Sequence, residues 1–258
     1  MITDTVNETQ PTATTQSAVD IQSLKKRARF AGFIYLLLGI SAPIGLMYVP
    51  GQLIVAGDAT ATANRIRESE WLLRLGIGSE LFQQVTVIFV ALALYRLFRE
   101  VNQPQAVLMV ILGALVSVPI MFVNVLNAVA ALTLAKGAPF LSVFDRPQLD
   151  ALSYLFVRLH SSGFTVASVF WGLWLFPLGV LVIQSRFIPR FIGYLLFVAG
   201  AAYVVSAFST LVMPSLRPFV NPVALILEMG ELPIIFWLLI WGAKLQGRDN
   251  PTPALAVA

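Results

Sequence analysis

Four long stretches of this chain contain no Asp, Glu, Lys or Arg, and they restrict its fold more than any other feature. They cover residues 30–57, 101–135, 159–185 and 191–216, with lengths of 28, 35, 27 and 26 residues. An α-helix needs about 20 apolar residues to cross the ~30 Å hydrocarbon core of a bilayer. A charge at the centre of such a helix costs about 2.5 to 3.5 kcal/mol. Each stretch is therefore predicted to contain a membrane-spanning helix.

Two further windows are apolar but carry acidic residues. Residues 75–95 are interrupted by Glu80, and residues 218–243 by Glu228 and Glu231. Six spans of about 20 to 25 residues use most of the chain, and a composition of 58% hydrophobic and 12% charged residues comes close to excluding a water-soluble globule. A membrane β-barrel is not expected, because its strands alternate over ~10 residues and these runs are continuous. The predicted fold class is all-α, a polytopic membrane protein with a bundle of six transmembrane helices.

The two ends of the chain and the longest connection differ from the predicted spans. Residues 1–24 are polar without an apolar period and are predicted to form a disordered cytoplasmic tail. The transmembrane domain is predicted over 25–245 and a C-terminal tail over 246–258. Between spans 1 and 2, Asp58 can cap a short amphipathic helix that lies ahead of Trp71, a residue type typical of membrane interfaces. We expect a surface helix there, with a lid over an outward-facing site as the alternative.

Lys and Arg are distributed unequally between the two sides of the predicted bundle. The side that holds the N-terminus has ten and the other side has six, so the positive-inside rule predicts cytoplasmic termini. The larger set is Lys25, Lys26, Arg27, Arg29, Arg96, Arg99, Arg186, Arg190, Lys244 and Arg248, and the smaller set is Arg65, Arg67, Arg74, Lys136, Arg146 and Arg217. The net charge of +4 comes from these flanks, and no nucleic-acid partner is expected.

Seven polar side chains are predicted to lie in one layer of the outer half of the membrane. Counted from the outer end of each span, most of their depths fall between ~10 and ~18 Å. They are Glu80 in span 2, Asn124 and Asn127 in span 3, Arg158 and His160 in span 4, and Glu228 and Glu231 in span 6. Ionisable groups in lipid cost several kcal/mol each, whereas a polar packing contact contributes only about 0.6 kcal/mol. A functional cavity is therefore preferred to structural pairing, which remains the alternative.

Span 4 carries two ionisable residues on different faces. Arg158 continues at i+3, i+4 and i+7 into a stripe of Ser and Thr hydroxyls, whereas His160 points roughly 200° away from it. Arg158 is expected to contact Glu80 or an anionic ligand, and His160 to face apolar neighbours.

The charges of the polar layer do not balance. Three carboxylates and one arginine leave two negative charges uncompensated where the dielectric constant is low. At least one of Glu228 and Glu231 is therefore expected to be protonated at neutral pH or to bind a cation.

Prolines occur inside four of the predicted spans, at Pro43, Pro119, Pro177 and Pro233. In membrane helices such prolines usually produce tolerated kinks. The alternative is that broken helices free backbone groups at a binding site, as in transporters.

The residue set excludes several kinds of chemistry. One His excludes bis-His haem ligation in a monomer, and without Cys a zinc site would need an awkwardly directed His160. Phosphate-binding loops and nucleotide fingerprints are missing, so a primary pump is excluded and no cofactor or metal is expected. Binding or proton-linked transport of a small molecule remains. The alternatives are a membrane enzyme that uses His160 and Glu231 as acid and base on a lipid or amphiphile, and a non-catalytic accessory subunit.

Three segments resemble a bacterial integral membrane family, catalogued as domain of unknown function 4386. They are LIVAGDA at 53–59 with Asn64, SRFIPRFIG at 185–193, and GEL at 230–232 followed by WLL at 237–239. The resemblance covers about residues 25–245. It implies a six-helix protein of the bacterial inner membrane, with Glu231 at the family's late Gly-Glu position. The family brings no established activity.

Overall fold

The computed structural model of the protein describes residues 13–243, with side chains from residue 22 onward, and every regular element in that range is helical. Six helical segments are long and apolar enough to cross a membrane, which confirms the predicted all-α polytopic fold. They are span 1, Gln22–Leu53; span 2, Glu70–Phe98; span 3, Gln103–Lys136; span 4, Arg146–Ser185; span 5, Arg190–Val212; and span 6, Pro214–Ile240.

Some spans are single helices and others contain two. The helices are α1 (Ala13–Pro43) and α2 (Val49–Leu53) in span 1, α3 (Ala59–Glu68) in the connection, α4 (Glu70–Phe98) in span 2, α5 (Gln103–Val110) and α6 (Ser117–Lys136) in span 3, α7 (Arg146–Ser185) in span 4, α8 (Arg190–Val212) in span 5, and α9 (Arg217–Glu228) and α10 (Leu232–Ile240) in span 6. A short 3-10 helix at Pro139–Leu141 lies between spans 3 and 4, and another at Pro214–Leu216 begins span 6.

Helix α1 begins at Ala13, before the boundary predicted at residue 25. The sequence from Ala13 to Ala31 contains no Gly or Pro, and its Ala, Gln, Leu, Lys and Arg residues favour a helix. Helix α1 therefore begins ahead of the basic residues at 25–29. Residues 1–12 and the predicted C-terminal tail over 246–258 lie outside the described residues.

The short helix α3 confirms the helix predicted between spans 1 and 2. As expected, Asp58 caps it, because Asp58 Oδ1 accepts a hydrogen bond from the Ala61 N–H at 2.8 Å. Arg67 of α3 forms an ion pair at 2.7 Å with Asp150 at the start of span 4. Asp150 is buried, so this contact holds α3 against the bundle. The end of the bundle that carries α3 is called the α3 end below.

The six spans form a closed ring, in which each span packs against the next and span 6 packs against span 1. A small apolar cluster that includes Leu53 and Ile66 fills the α3 end, and a larger one that includes Phe98 and Leu178 fills the opposite end. The polar side chains of spans 2 and 3 lie between the two clusters.

Spans 4 and 5 pack closely because glycines face one another. A Cβ atom on Gly172 would lie 2.6 Å from the carbonyl oxygen of Gly200, and one on Gly193 would lie 2.8 Å from that of Gly179. Small residues allow membrane helices to approach backbone to backbone, which fixes the relative position of these two spans.

Candidate functional site

Three spans contain an interruption of their α-helix, and each interruption includes the residue four positions before a proline. Proline has no N–H to donate to the carbonyl oxygen of that residue, and the proline ring clashes with the same carbonyl group. The interruptions are the π-helices Ile44–Tyr48 and Ile111–Val116 and the 3-10 helix Met229–Glu231, which precede Pro50, Pro119 and Pro233.

The predicted prolines therefore have different effects. Pro119 and Pro233 accompany breaks, whereas Pro177 lies in the continuous helix α7 and Pro43 is the last residue of α1. Pro50 accounts for the break in span 1 and was not among the predicted residues. Interruptions of this type are frequent at functional sites.

A cavity of about 270 Å³ lies at the centre of the ring and is lined by residues of all six spans. All three interrupted segments contribute to its wall, through Leu46, Gly113, Met229 and Glu231. Its other polar and aromatic lining residues are Tyr35, Gln83, Trp171, Trp174, Tyr203 and Glu228. This space is called the central cavity.

Two carboxylates of span 6 face the central cavity without a basic partner. The Tyr35 hydroxyl donates a hydrogen bond to Glu231 Oε1, and Tyr203 interacts with the same carboxylate. Glu228 is half-buried and lines the cavity three residues earlier. Within residues 22–243 neither glutamate forms an ion pair. The charge of these carboxylates is thus left for a proton or a cation to neutralise.

Aromatic rings and one amide complete the wall of the central cavity. The rings of Tyr35 and Trp174 lie 5.8 Å apart at an angle of 56°, and aromatic faces of this kind attract cations. The buried Oε1 of Gln83 accepts no hydrogen bond from the described residues. This oxygen has almost no accessible surface, so the aromatic faces and the two carboxylates are what make the wall suited to a positively charged ligand.

A second polar cluster lies one helical turn from the central cavity, toward the α3 end. Glu80 is buried, and its Oε2 lies 2.9 Å from Nε2 of His160. Asn124 donates to the His160 carbonyl oxygen at 3.0 Å and accepts a hydrogen bond from Asn127 at 3.1 Å. Gly163 makes room for this contact, because a Cβ atom there would lie 1.9 Å from Asn124 Oδ1. These contacts join spans 2, 3 and 4.

The structure reverses the predicted orientations of Arg158 and His160. Arg158 is exposed, and no ion pair involves it in the described part of the chain, whereas His160 contacts Glu80. The stripe beside Arg158 needs no cavity, because its hydroxyls donate to backbone carbonyls one turn earlier. These are the hydroxyls of Ser161, Ser162 and Thr165. Ser153 and Ala167 each lie seven residues from His160 and are fully buried, so they share its inward face. Small residues at this spacing are a feature of the sequence that indicates the inward face.

The predicted single layer thus divides into two sites. Glu228 and Glu231 line the central cavity; Glu80, His160, Asn124 and Asn127 form the second cluster; and Arg158 belongs to neither. His160 and Glu231 line different cavities, so they do not form the acid–base pair of the enzyme alternative. The aromatic residues of the cavity were not predicted from the sequence. Tyr and Trp residues far from the membrane interfaces could have indicated a polar site, since their polar groups need partners when they are buried.

Six apolar spans around a polar centre define a polytopic α-helical membrane protein. Residues 30–242 match the family described as domain of unknown function (DUF4386), and the chain belongs to this family. The resemblance inferred from the sequence is thereby confirmed. An uncharacterised protein of Archaeoglobus fulgidus is 29% identical over 161 residues, which cover 62% of this chain and 78% of that protein. No solved structure matches the chain.

Proposed function

We propose that the protein binds a small organic cation in the central cavity and exchanges it for a proton on Glu231. The observation that carries this proposal is a cavity lined by all six spans that contains two carboxylates and no basic side chain. A carboxylate away from water needs a proton or a positive partner. A cation that enters the cavity supplies that partner and displaces the proton.

The lining favours an organic cation over a metal ion. Clusters of three or more His, Cys, Asp or Glu residues suited to a metal do not occur among the described residues. The cavity instead combines Glu228 and Glu231 with four aromatic rings and a largely aliphatic remainder. Ammonium groups bind well against aromatic faces, and apolar walls with few polar groups are typical of small-molecule sites.

The proposed route of movement leads from the central cavity toward the α3 end. A smaller cavity of about 40 Å³ lies there, and Glu80 and His160 form part of its wall. Gly45 lines this cavity and its neighbour Leu46 lines the central one, so both spaces lie beside the π-helix of span 1. Separation of Glu80 from His160 would open the route between them, as alternating access requires.

The proposed location is the bacterial inner membrane, with both termini in the cytoplasm and the α3 end outside. The excess of basic residues at the opposite end, ten against six, supports this orientation. The lipid bilayer is then the main partner of the outer, apolar surface.

Binding of phenyltrimethylammonium to the purified protein tests the proposal, with uncharged tert-butylbenzene as a probe of the same shape. We expect the cation to quench tryptophan fluorescence saturably, because Trp171 and Trp174 line the central cavity. The quenching should disappear in a variant with Trp171→Phe and Trp174→Phe. Equal binding of the uncharged probe would contradict a cation site and leave only an apolar cavity.

A further inference from the structure

A cleft of about 550 Å³ lies between spans 1 and 2 at the end opposite α3, outside the central cavity. Arg27 of span 1 and Arg96 and Arg99 of span 2 form its charged part. Phe30, Phe89 and Leu92 form its apolar part. The two parts come from both helices, so the cleft is a joint feature of the pair.

The charged and apolar parts of the cleft are separated along the membrane normal. On span 2, Arg96 lies seven residues beyond Phe89, or about 10 Å along the helix. On span 1, Arg27 lies about 4.5 Å nearer to the end of the bundle than Phe30. The exposed fractions of Phe30 and Phe89 are 58% and 55%. The cleft therefore has the same order as a phospholipid, with charge at the interface and apolar surface below it.

The arginines of the cleft have little protein charge to neutralise them. Within residues 22–243, Arg27 and Arg96 form no ion pair, and Arg99 has Glu100 at 3.9 Å with both side chains exposed. The neighbouring Arg29 differs, since it donates to the carbonyl oxygen of Ile240 at 3.1 Å. Two guanidinium groups without an ion pair and a third with only this long, exposed one suit phosphate oxygens, which guanidinium groups bind with paired hydrogen bonds.

We propose that this cleft binds an anionic phospholipid, and that it prefers a cardiolipin-type headgroup with two phosphates to a headgroup with one. The phosphates contact Arg27, Arg96 and Arg99, and one acyl chain lies against Phe30, Phe89 and Leu92. Basic pockets between membrane helices on the cytoplasmic side are a known setting for such lipids, and the charge of the cleft is complementary to two phosphates.

The test is lipid binding to the delipidated full-length protein in detergent, followed by native mass spectrometry and by melting temperature. We expect cardiolipin to bind the wild type and raise its melting temperature, phosphatidylglycerol to do so less, and phosphatidylcholine not to do so. Inorganic pyrophosphate, which has the phosphates without acyl chains, should have no effect at the same concentration. Equal effects of phosphatidylcholine or of pyrophosphate would overturn the proposal.

Two variants with the same loss of charge locate the site. The variant with Arg27, Arg96 and Arg99 all changed to Gln should bind cardiolipin about tenfold more weakly or worse, because each basic residue near the surface contributes to anionic lipid binding. The matched control changes Lys25, Lys26 and Arg190 to Gln, at the same end but outside the cleft. Equal weakening by both variants would show a diffuse charge effect and would also overturn the proposal.

Discussion

Glu231→Gln is expected to weaken binding of phenyltrimethylammonium by about 30-fold or more, because removal of one partner of a buried charge pair costs about 2 kcal/mol at least. The amide fills the same space and still accepts a hydrogen bond from Tyr35, so the cavity keeps its shape. Glu228→Gln should have a smaller effect, since Glu231, not Glu228, accepts the hydrogen bond from Tyr35 and is thereby fixed in the cavity wall. Titration of tryptophan fluorescence on purified variants measures all three affinities.

The matched control for Glu231→Gln is Glu68→Gln. Glu68 is an exposed carboxylate on α3 that makes no ion pair within the described residues. Its replacement is the same exchange of a carboxyl group for an amide and should leave the affinity unchanged. If Glu231→Gln kept wild-type affinity and wild-type stability, Glu231 would not take part in cation binding.

The second large effect is expected on stability, from the contact between Glu80 and His160. Glu80→Leu or His160→Leu alone should lower the free energy of unfolding by about 1 to 3 kcal/mol, because each leaves a polar partner inside the bundle without its hydrogen bond. The double variant should lose less than the sum of the two, since neither partner is then left. Denaturant unfolding of the four proteins in micelles gives this double-mutant cycle.

Arg158→Leu is the control for that cycle. Arg158 lies on the same helix as His160 but is exposed and has no ion pair in the described part of the chain. We expect it to change the free energy of unfolding by less than about 0.5 kcal/mol, as for most surface substitutions. Additive effects of Glu80→Leu and His160→Leu, or a loss in Arg158→Leu as large as in His160→Leu, would show that the pair is not the stabilising contact.

The number and order of spans could be predicted because hydropathy depends on composition along the chain. The cap at Asp58 could be predicted for a similar reason, since it depends on a few neighbouring residues. The rotation of each span about its axis was harder to predict. Lipid tails are as apolar as a helix interface, so hydrophobicity does not tell which face of span 4 turns inward. Arg158 and His160 point roughly 200° apart on span 4. The side chain that faces inward is His160, the less polar of the two.

The contents of the central cavity were only partly visible in the sequence. Glu228 and Glu231 stood out because carboxylates in a span are costly. Tyr35 and Tyr203 did not, because aromatic residues are common in membrane helices and only the ring of six spans brings these two to Glu231. Proline in a span indicates that the helix can break at Pro119 and Pro233. That both breaks lie beside one cavity depends on tertiary packing.

In the proposed exchange, a cation and a proton compete for the carboxylates of the central cavity. The titratable groups that face Glu231 are Glu228 on span 6, Tyr35 on span 1 and Tyr203 on span 5. The most direct measurement is calorimetric titration of the protein with phenyltrimethylammonium in two buffers that differ in protonation enthalpy. We predict release of about one proton per cation bound, with affinity that rises with pH, because linkage requires tighter binding where the proton is lost. Binding without proton release, at an affinity independent of pH, would contradict the proposed exchange.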